Sequence, residues 1–434
     1  MVYLHIENYV LKTIYFFFIL CSQLGFSQSI WQPVPNLFTN PDGVRFEDVF
    51  FLNENIGWAA NGPNATIHKT TDGGLTWTEQ LNQTDLGASY YFRNIEFLNA
   101  DIGFLGTLNG DFFKTTDGGD TWNVVTNITP NPPAICGITT VENSTVYACG
   151  AYFTPAHIIK SIDSGNTWQF IDMSPYANAL VEIKFVNETL GYVAGRSDTG
   201  AIVLKTTDGG ITWAEIYNSN IQGEYIWKLQ FIDGDTNVIY GSLYTIDPNP
   251  GKLIKTFDAG ATWTSLDAPE SGIQAVGFIS QNRGWMGGKH IGFFETNDGG
   301  LTWIDISVGS NLNRIFILSD IRAFASGTTI YKFTDEALST QYFEESFRKE
   351  LEINFTTNPV DIILEFTVAF KKTNHLMIEL YDINGLFIKQ LKNDTLNISG
   401  KKTYTFNISN LSSGTYILDF HSNSGRESKK FIKR

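Results

Sequence analysis

The sequence predicts an all-β chain of two parts. A seven-bladed β-propeller comes first, and an immunoglobulin-like β-sandwich follows it. Three observations predict this. An eight-residue turn recurs six times, an apolar strand pattern recurs seven times, and the period stops after Phe333, where a different β-rich pattern begins. A repeat of short strands every 40–50 residues or so is the signature of a propeller or solenoid.

The turn reads Thr70-Thr-Asp-Gly-Gly-Leu-Thr-Trp77 in its first copy and Thr296-Asn-Asp-Gly-Gly-Leu-Thr-Trp303 in its last. Its fixed residues are Asp72 and Trp77, Asp117 and Trp122, Asp163 and Trp168, Asp208 and Trp213, Asp258 and Trp263, and Asp298 and Trp303. The aspartates are 45, 46, 45, 50 and 40 residues apart. Each copy lies between β-prone runs, such as Thr66-Ile-His-Lys-Thr and Thr76-Trp-Thr-Glu-Gln, which is the pattern of a hairpin. The Asp side chain can accept hydrogen bonds from backbone N–H groups of its own turn. The glycine at the fifth position permits a positive φ, and the Trp can fold back over the turn. A calcium loop needs several oxygen ligands and a late Glu. Each copy has one acidic residue, or two in the second. The turns therefore predict architecture, with no metal and no cofactor.

The apolar first strands are Asp48–Asn53, Asn94–Asn99, Ile135–Thr140, Val181–Val186, Trp227–Ile232, Gln274–Ile279 and Arg314–Leu318. Seven strands against six turns leave the last unit, through Thr329-Ile-Tyr-Lys-Phe333, without a fourth strand. Ile30-Trp-Gln-Pro-Val34 resembles the strand that follows a turn, as in Thr167-Trp-Gln-Phe-Ile171. It is predicted to pair onto the seventh blade and close the ring, leaving only short protected edges. A six-bladed ring is the alternative.

Residues 1–27 have the form of a secretory signal: Lys12, the apolar run Thr13–Leu20, and small residues Gly25 and Ser27 before a cut at Gln28. The run is too short to span a bilayer, so no transmembrane span is expected in the mature chain. Ile19 and Leu20 before Cys21 are bulkier than a lipoprotein signal prefers. Cys136 and Cys149 then remain, on consecutive strands of the third blade. A disulfide between them and two buried free thiols are both open readings. The formal net charge of −15 argues against nucleic-acid binding and against adsorption to anionic membranes.

The Ser/Thr-x-Asp-x-Gly-x-Thr-Trp turn resembles the Asp-box, or BNR, repeat of sialidase-like propellers. Sialidase chemistry would imply three arginines gripping a carboxylate, a Tyr nucleophile with a Glu, and an Asp acid. The Phe-Arg-Ile-Pro signature is absent; Phe92-Arg-Asn-Ile95 merely enters the second blade. Of the arginines, only Arg45, Arg93 and Arg314 lie near first strands, at unlike positions. Phe51-Leu-Asn-Glu-Asn-Ile-Gly-Trp58 followed by Ile67-His-Lys-Thr-Thr-Asp-Gly-Gly74 resembles the propeller of the photosystem II assembly and stability factors. That resemblance, over residues 28–335, implies a non-enzymatic seven-bladed fold that binds a protein partner. The basic surface associated with that role is not evident in this acidic chain.

Strand alternation places Val49/Phe51, Ile95/Phe97, Ile183/Phe185, Leu229/Phe231 and Val276/Phe278 between blades. The opposite face then lines the central channel. Its charged members Asp48, Glu96, Glu182, Lys184, Lys228 and Arg314 are the candidate ligand-binding set, or alternatively a ring of mutually satisfied ion pairs. No catalytic residue is assigned, and the six histidines show no metal-ligand spacing.

Residues 336–350 serve as a linker, and 351–434 form the second β-rich domain. Asn358-Pro359, Ile378-Glu-Leu-Tyr-Asp-Ile-Asn-Gly385, Leu411-Ser-Ser-Gly-Thr-Tyr-Ile-Leu418 and the basic-apolar end Lys429–Arg434 are similar to the type A C-terminal sorting domain of the type IX secretion system. That resemblance implies partners in the secretion machinery and its sortase. It also implies export through the periplasm to the cell surface or medium, and cleavage of the domain. The expected function is binding of a protein or glycan without catalysis. A glycoside hydrolase (sialidase-like or endo-glucanase) and an adhesin are the alternatives.

Overall fold

The computed structural model describes residues 30–41, 43–150, 155–232, 234–334, 351–370, 374–383, 387–396, 400–422 and 425–434. The secretory signal 1–27 and the linker 336–350 lie outside the described residues. The chain divides into two compact units, Met1–Leu338 and Ser339–Arg434.

The first unit is a seven-bladed propeller of seven four-stranded antiparallel sheets among the described residues. Blade 1 runs Phe46–Phe51, Gly57–Asn61, Thr66–Thr70 and Thr78–Leu81, from the axis outward. Blades 2–6 repeat this order. Blade 7 has only Arg314–Ile317, Ala323–Ser326 and Ile330–Thr334 of its own. Ile30–Pro33 supplies its outer strand, with Trp31 opposite Phe333 and Pro33 opposite Tyr331. The inner strand of each blade lies beside that of the next, and Arg314–Ile317 lies beside Phe46–Phe51. The ring is thus closed by the leading segment of the chain.

Alternation along the inner strands decides what fills the space between blades. One face is apolar and meets the neighbouring blade, so the core consists of seven clusters, each drawn chiefly from two adjacent blades. A repeated aromatic stack anchors four of the seven junctions. Trp58 lies flat on Phe97 at 3.5 Å, Tyr147 on Phe185 at 3.6 Å and Tyr240 on Phe278 at 3.9 Å. Phe324 on Phe51 at 3.4 Å makes the same stack where blade 7 meets blade 1. A lysine from the third strand reaches across each of four junctions. Lys69, Lys160, Lys205 and Lys255 donate to Gly118 O, Gly209 O, Ala259 O and Gly299 O at 2.7–3.0 Å. Their acceptors are turns of the next blade, so the turn also serves as a docking point between sheets.

The turn itself is built by its own side chains. Asp72 accepts from Thr76 N at 2.8 Å, Thr76 Oγ1 at 2.6 Å and Thr70 Oγ1 at 2.9 Å. Gly74 N donates to Thr70 Oγ1, and Gly74 has φ 90°. The other five turns repeat the Asp and Thr bonds, for example Asp163 with Thr167 N at 2.8 Å. In four turns the Trp sets its edge against the phenylalanine of its own blade, as Trp122 does on Phe97 at 5.9 Å, while Trp168 and Trp263 meet rings of the preceding blade.

The second unit has a three-stranded sheet (Leu351–Phe355, Ile363–Phe370, Gly400–Asn407) and a four-stranded one (Asn374–Asp382, Phe387–Leu396, Gly414–Ser422, Gly425–Lys433). Leu364, Phe366 and Val368, two residues apart, bury against Leu376, Ile378, Leu418 and Phe420 of the other sheet. Phe366 meets Phe420 edge-on at 5.3 Å. This is a β-sandwich.

Candidate functional site

Five inner strands carry a bulge near their start. The pairing register jumps from Phe46 to Asp48, Phe92 to Asn94, Leu180 to Glu182, Ile226 to Lys228 and Ile273 to Ala275. A bulge leaves one residue out of the ladder and bends the strand. Glu47 and Asp48 both reach the inner strands of blades 2 and 7 as a result.

The six charged residues expected at the channel come together there. Arg314 Nη1 contacts both Asp48 oxygens at 3.0 and 3.1 Å, and its other terminal nitrogen is 4.0 Å from Glu96. Asp48 also accepts from Val49 N, Ile95 N and Asn94 Nδ2. Lys228 Nζ lies 2.9 Å from Glu182, and Lys184 Nζ lies 3.8 Å from it. All six are buried except Lys184, which is partly exposed. Burial pushes against the Glu182 carboxylate, but Lys228, Lys184 and Arg314 overcome it and hold the group below its ordinary range. Glu96 goes the other way. Burial raises its carboxyl despite Lys184 and Arg314, and its Oε2 makes no hydrogen bond.

Each end of the channel opens into a cavity. The one at the trailing ends of the inner strands has about 410 Å³, with Lys184, Lys228, Glu182 and Arg314 at its base and Phe231 and Phe316 in its wall. The one at the leading ends has about 570 Å³ and is lined by Arg45, Glu47, Tyr91, Trp227, Tyr244 and Gln274, among others.

Glu47 is the hub of the leading end. It accepts from Arg45 Nε (2.8 Å) and Nη2 (3.2 Å), Tyr91 OH (2.6 Å), Arg93 Nη1 (2.8 Å) and Asn313 Nδ2 (3.0 Å). Burial opposes its charge, yet Arg45 and Arg93 hold its carboxyl down at about 2. The Arg93 guanidinium sits 5.1 Å over the Trp227 ring, whose Nε1 donates to Asn313 Oδ1 at 2.8 Å. Arg45 and Arg93, which the sequence leaves at unlike positions, therefore do converge. What they grip is the protein's own carboxylate.

Residues 26–169 and 160–271 match the family model of the photosynthesis system II assembly factor YCF48, which together is more than half of the chain. The chain belongs to the YCF48 family. Residues 358–434 match the secretion system C-terminal sorting domain, so the protein is exported by the type IX route to the cell surface or beyond. Among solved structures, YCF48 bound to D1 peptide is similar with a TM-score of 0.54 and 20% identity, over 70% of this chain and 96% of that one. YCF48 from Cyanidioschyzon merolae gives 0.56 and 20%, over 71% and 99%. An ancestral GH74 enzyme gives 0.53 and 12%, over 92% of this chain and 63% of that one. At these identities the likeness is one of fold. No curated protein matches the sequence.

Sequence reasoning in this YCF48-family chain missed the leading cavity. Glu47, Tyr91, Trp227, Tyr244 and Gln274 come from four blades with no shared spacing, and the bulge that turns Glu47 inward leaves no mark in the residue pattern. Cys136 and Cys149 are buried thiols with no disulfide between them, so the bridged reading is not the arrangement found. Cys149 stands opposite Gly137, one residue out of step with Cys136. On a regular pleat that offset sends the two side chains to opposite faces.

Proposed function

We propose that the exported propeller, residues 28–335, is a recognition module that holds a protein or glycan partner at a mouth of its axial channel and breaks no bond in it. The tail 351–434 would be the part that the export machinery and its sortase read and remove. One observation carries this reading: apart from Glu96 and the partly exposed Lys184, the channel's charged groups are spent on one another. Glu47 has donors from four side chains, and Asp48 and Glu182 are each pinned by a buried cation. A carboxylate held near 2 is a poor general acid or base at neutral pH. Arg45 spends its guanidinium on Glu47, Gln274 and Asn311, and Arg93 gives Nη1 to Glu47 while its buried guanidinium lies over Trp227.

A YCF48 propeller that holds a peptide supports recognition as the role. Lys184 is the most exposed charge of the trailing mouth and sits 3.8 Å from Glu182, so it is the group best placed to meet a partner. Material that co-purifies with the secreted protein is to be titrated against wild type, Lys184→Ala and Lys228→Ala. Weakening by Lys184→Ala is expected, and unchanged binding of every identified partner by both variants refutes the trailing mouth as its site.

A second reading, a glycoside hydrolase, is favoured by Glu96 alone. A buried carboxyl with a raised pKa and a free oxygen has the character of a general acid. Assay on sialosides and β-glucans separates the readings. Turnover that Glu96→Gln abolishes would establish the second.

A further inference from the structure

We infer that the leading cavity, at the opposite end of the channel from Lys184, is a saccharide-binding site. The inference does not depend on which partner occupies the trailing mouth.

Its walls and its floor differ in chemistry. Trp227 and Tyr244 form a tilted pair with centroids 6.0 Å apart, and Tyr91 and Tyr225 complete an aromatic lining. Tyr225, Trp227 and Tyr244 stand on two paired strands of blade 5, with Tyr225 opposite Tyr244, and Tyr91 comes from the start of blade 2, so two blades build the lining. Each has an apolar body and a polar edge. The floor is polar. Arg45 Nη1 donates to Gln274 Oε1 and to Asn311 Oδ1 at 3.1 Å. Arg45 can only donate, so both amide oxygens must face it. Their nitrogens, Gln274 Nε2 and Asn311 Nδ2, are left without a hydrogen-bond acceptor among the described residues, and both side chains line the cavity. Lys289 and His290 add exposed donors at the rim.

Among the described lining residues the one carboxylate is already occupied. Glu47 already takes donors from Arg45, Tyr91, Arg93 and Asn313. The ligand the site fits is therefore flat on one side, apolar there, and rich in oxygen acceptors along its edge. A pyranose ring has that form: its axial C–H face suits an aromatic wall, and its hydroxyls accept from amide donors. The volume of about 570 Å³ lies within the range of small-ligand pockets. The floor is fixed before a ligand arrives, because Arg45 is clamped by Glu47 and clamps the two amides in turn, so little ordering cost remains on binding. A peptide would satisfy the walls equally, but its backbone N–H donors would meet no unoccupied carboxylate among the described lining residues.

The test is saturation-transfer NMR on the full chain with the methyl glycosides of glucose, galactose, N-acetylglucosamine and glucuronic acid. Transfer from protein aromatic protons to the ring protons of at least one glycoside is expected. Tyr244→Ala and Asn311→Ala should each weaken that binding about tenfold or more, and Lys184→Ala, at the other mouth, should leave it unchanged. Thermal unfolding of each variant confirms that the ring is intact. No transfer to any of the four glycosides overturns the assignment. So does transfer that survives both Tyr244→Ala and Asn311→Ala, or transfer that Lys184→Ala alone removes.

Discussion

Removing the indole of Trp31 should open the ring at its seam. Trp31 belongs to the four-residue strand that completes blade 7 from the other end of the chain. It is 3% exposed, stacks on Phe293 at 4.2 Å and meets Trp285 edge-on at 5.6 Å. Truncating a buried Trp to Ala costs about 3–5 kcal/mol, and the two aromatic contacts place this site in the upper half of that range, about 4–5 kcal/mol. The strand has only four paired residues, so the loss should also free the edge of Ile330–Thr334. Urea denaturation of the full chain, wild type against Trp31→Ala, measures the first effect. Hydrogen exchange at Lys332 and Thr334, whose amides face the added strand, measures the second. Ile211→Ala, at a side chain 81% exposed, is the control and should stay within about 0.5 kcal/mol. A loss below about 1 kcal/mol for Trp31→Ala, with exchange in blade 7 unchanged, would refute closure by the leading segment.

Three further outcomes follow from the same geometry. Hydrogen bonds from Thr121 and Thr167 hold the turn carboxyls of Asp117 and Asp163 at about 2. The unfolded value is about 3.9, so this stabilisation is present above about pH 4 and is lost as pH falls through about 2; Asp163→Asn should lower the unfolding temperature at pH 7 and have little effect at pH 2. Lys228→Met strips the nearest cation from buried Glu182 and should cost about 3–5 kcal/mol in chemical denaturation, while adding Glu182→Leu should restore most of it. Cys136 and Cys149 should resist a thiol reagent in the native protein and both react after unfolding without reductant, read by mass spectrometry; a species that reacts only after reduction would show a bridge.

The architecture was legible because a turn that needs Thr, Asp, Gly and Trp in fixed places cannot drift. Asp72 and Thr76 bond each other directly, and Gly74 has a φ that a Cβ would oppose. Period-two alternation was enough to send Phe51, Phe97 and Phe185 between blades and Asp48, Glu182 and Lys228 to the axis. The same rule fails one residue earlier in each strand, at Glu47 and Trp227, where a bulge breaks the alternation. Tyr91 and Tyr244 lie at strand margins, where the chain carries no period to read. The cysteines were undecidable for a related reason: whether Cys136 meets Cys149 depends on a register offset of one residue.

Recognition without bond cleavage is open to one paired measurement. The secreted protein is incubated with cell-surface polysaccharide, and retention and new reducing ends are followed together. Saturable retention with a flat reducing-end signal is the predicted result. A steady rise in reducing ends, lost in Glu96→Gln, would contradict it.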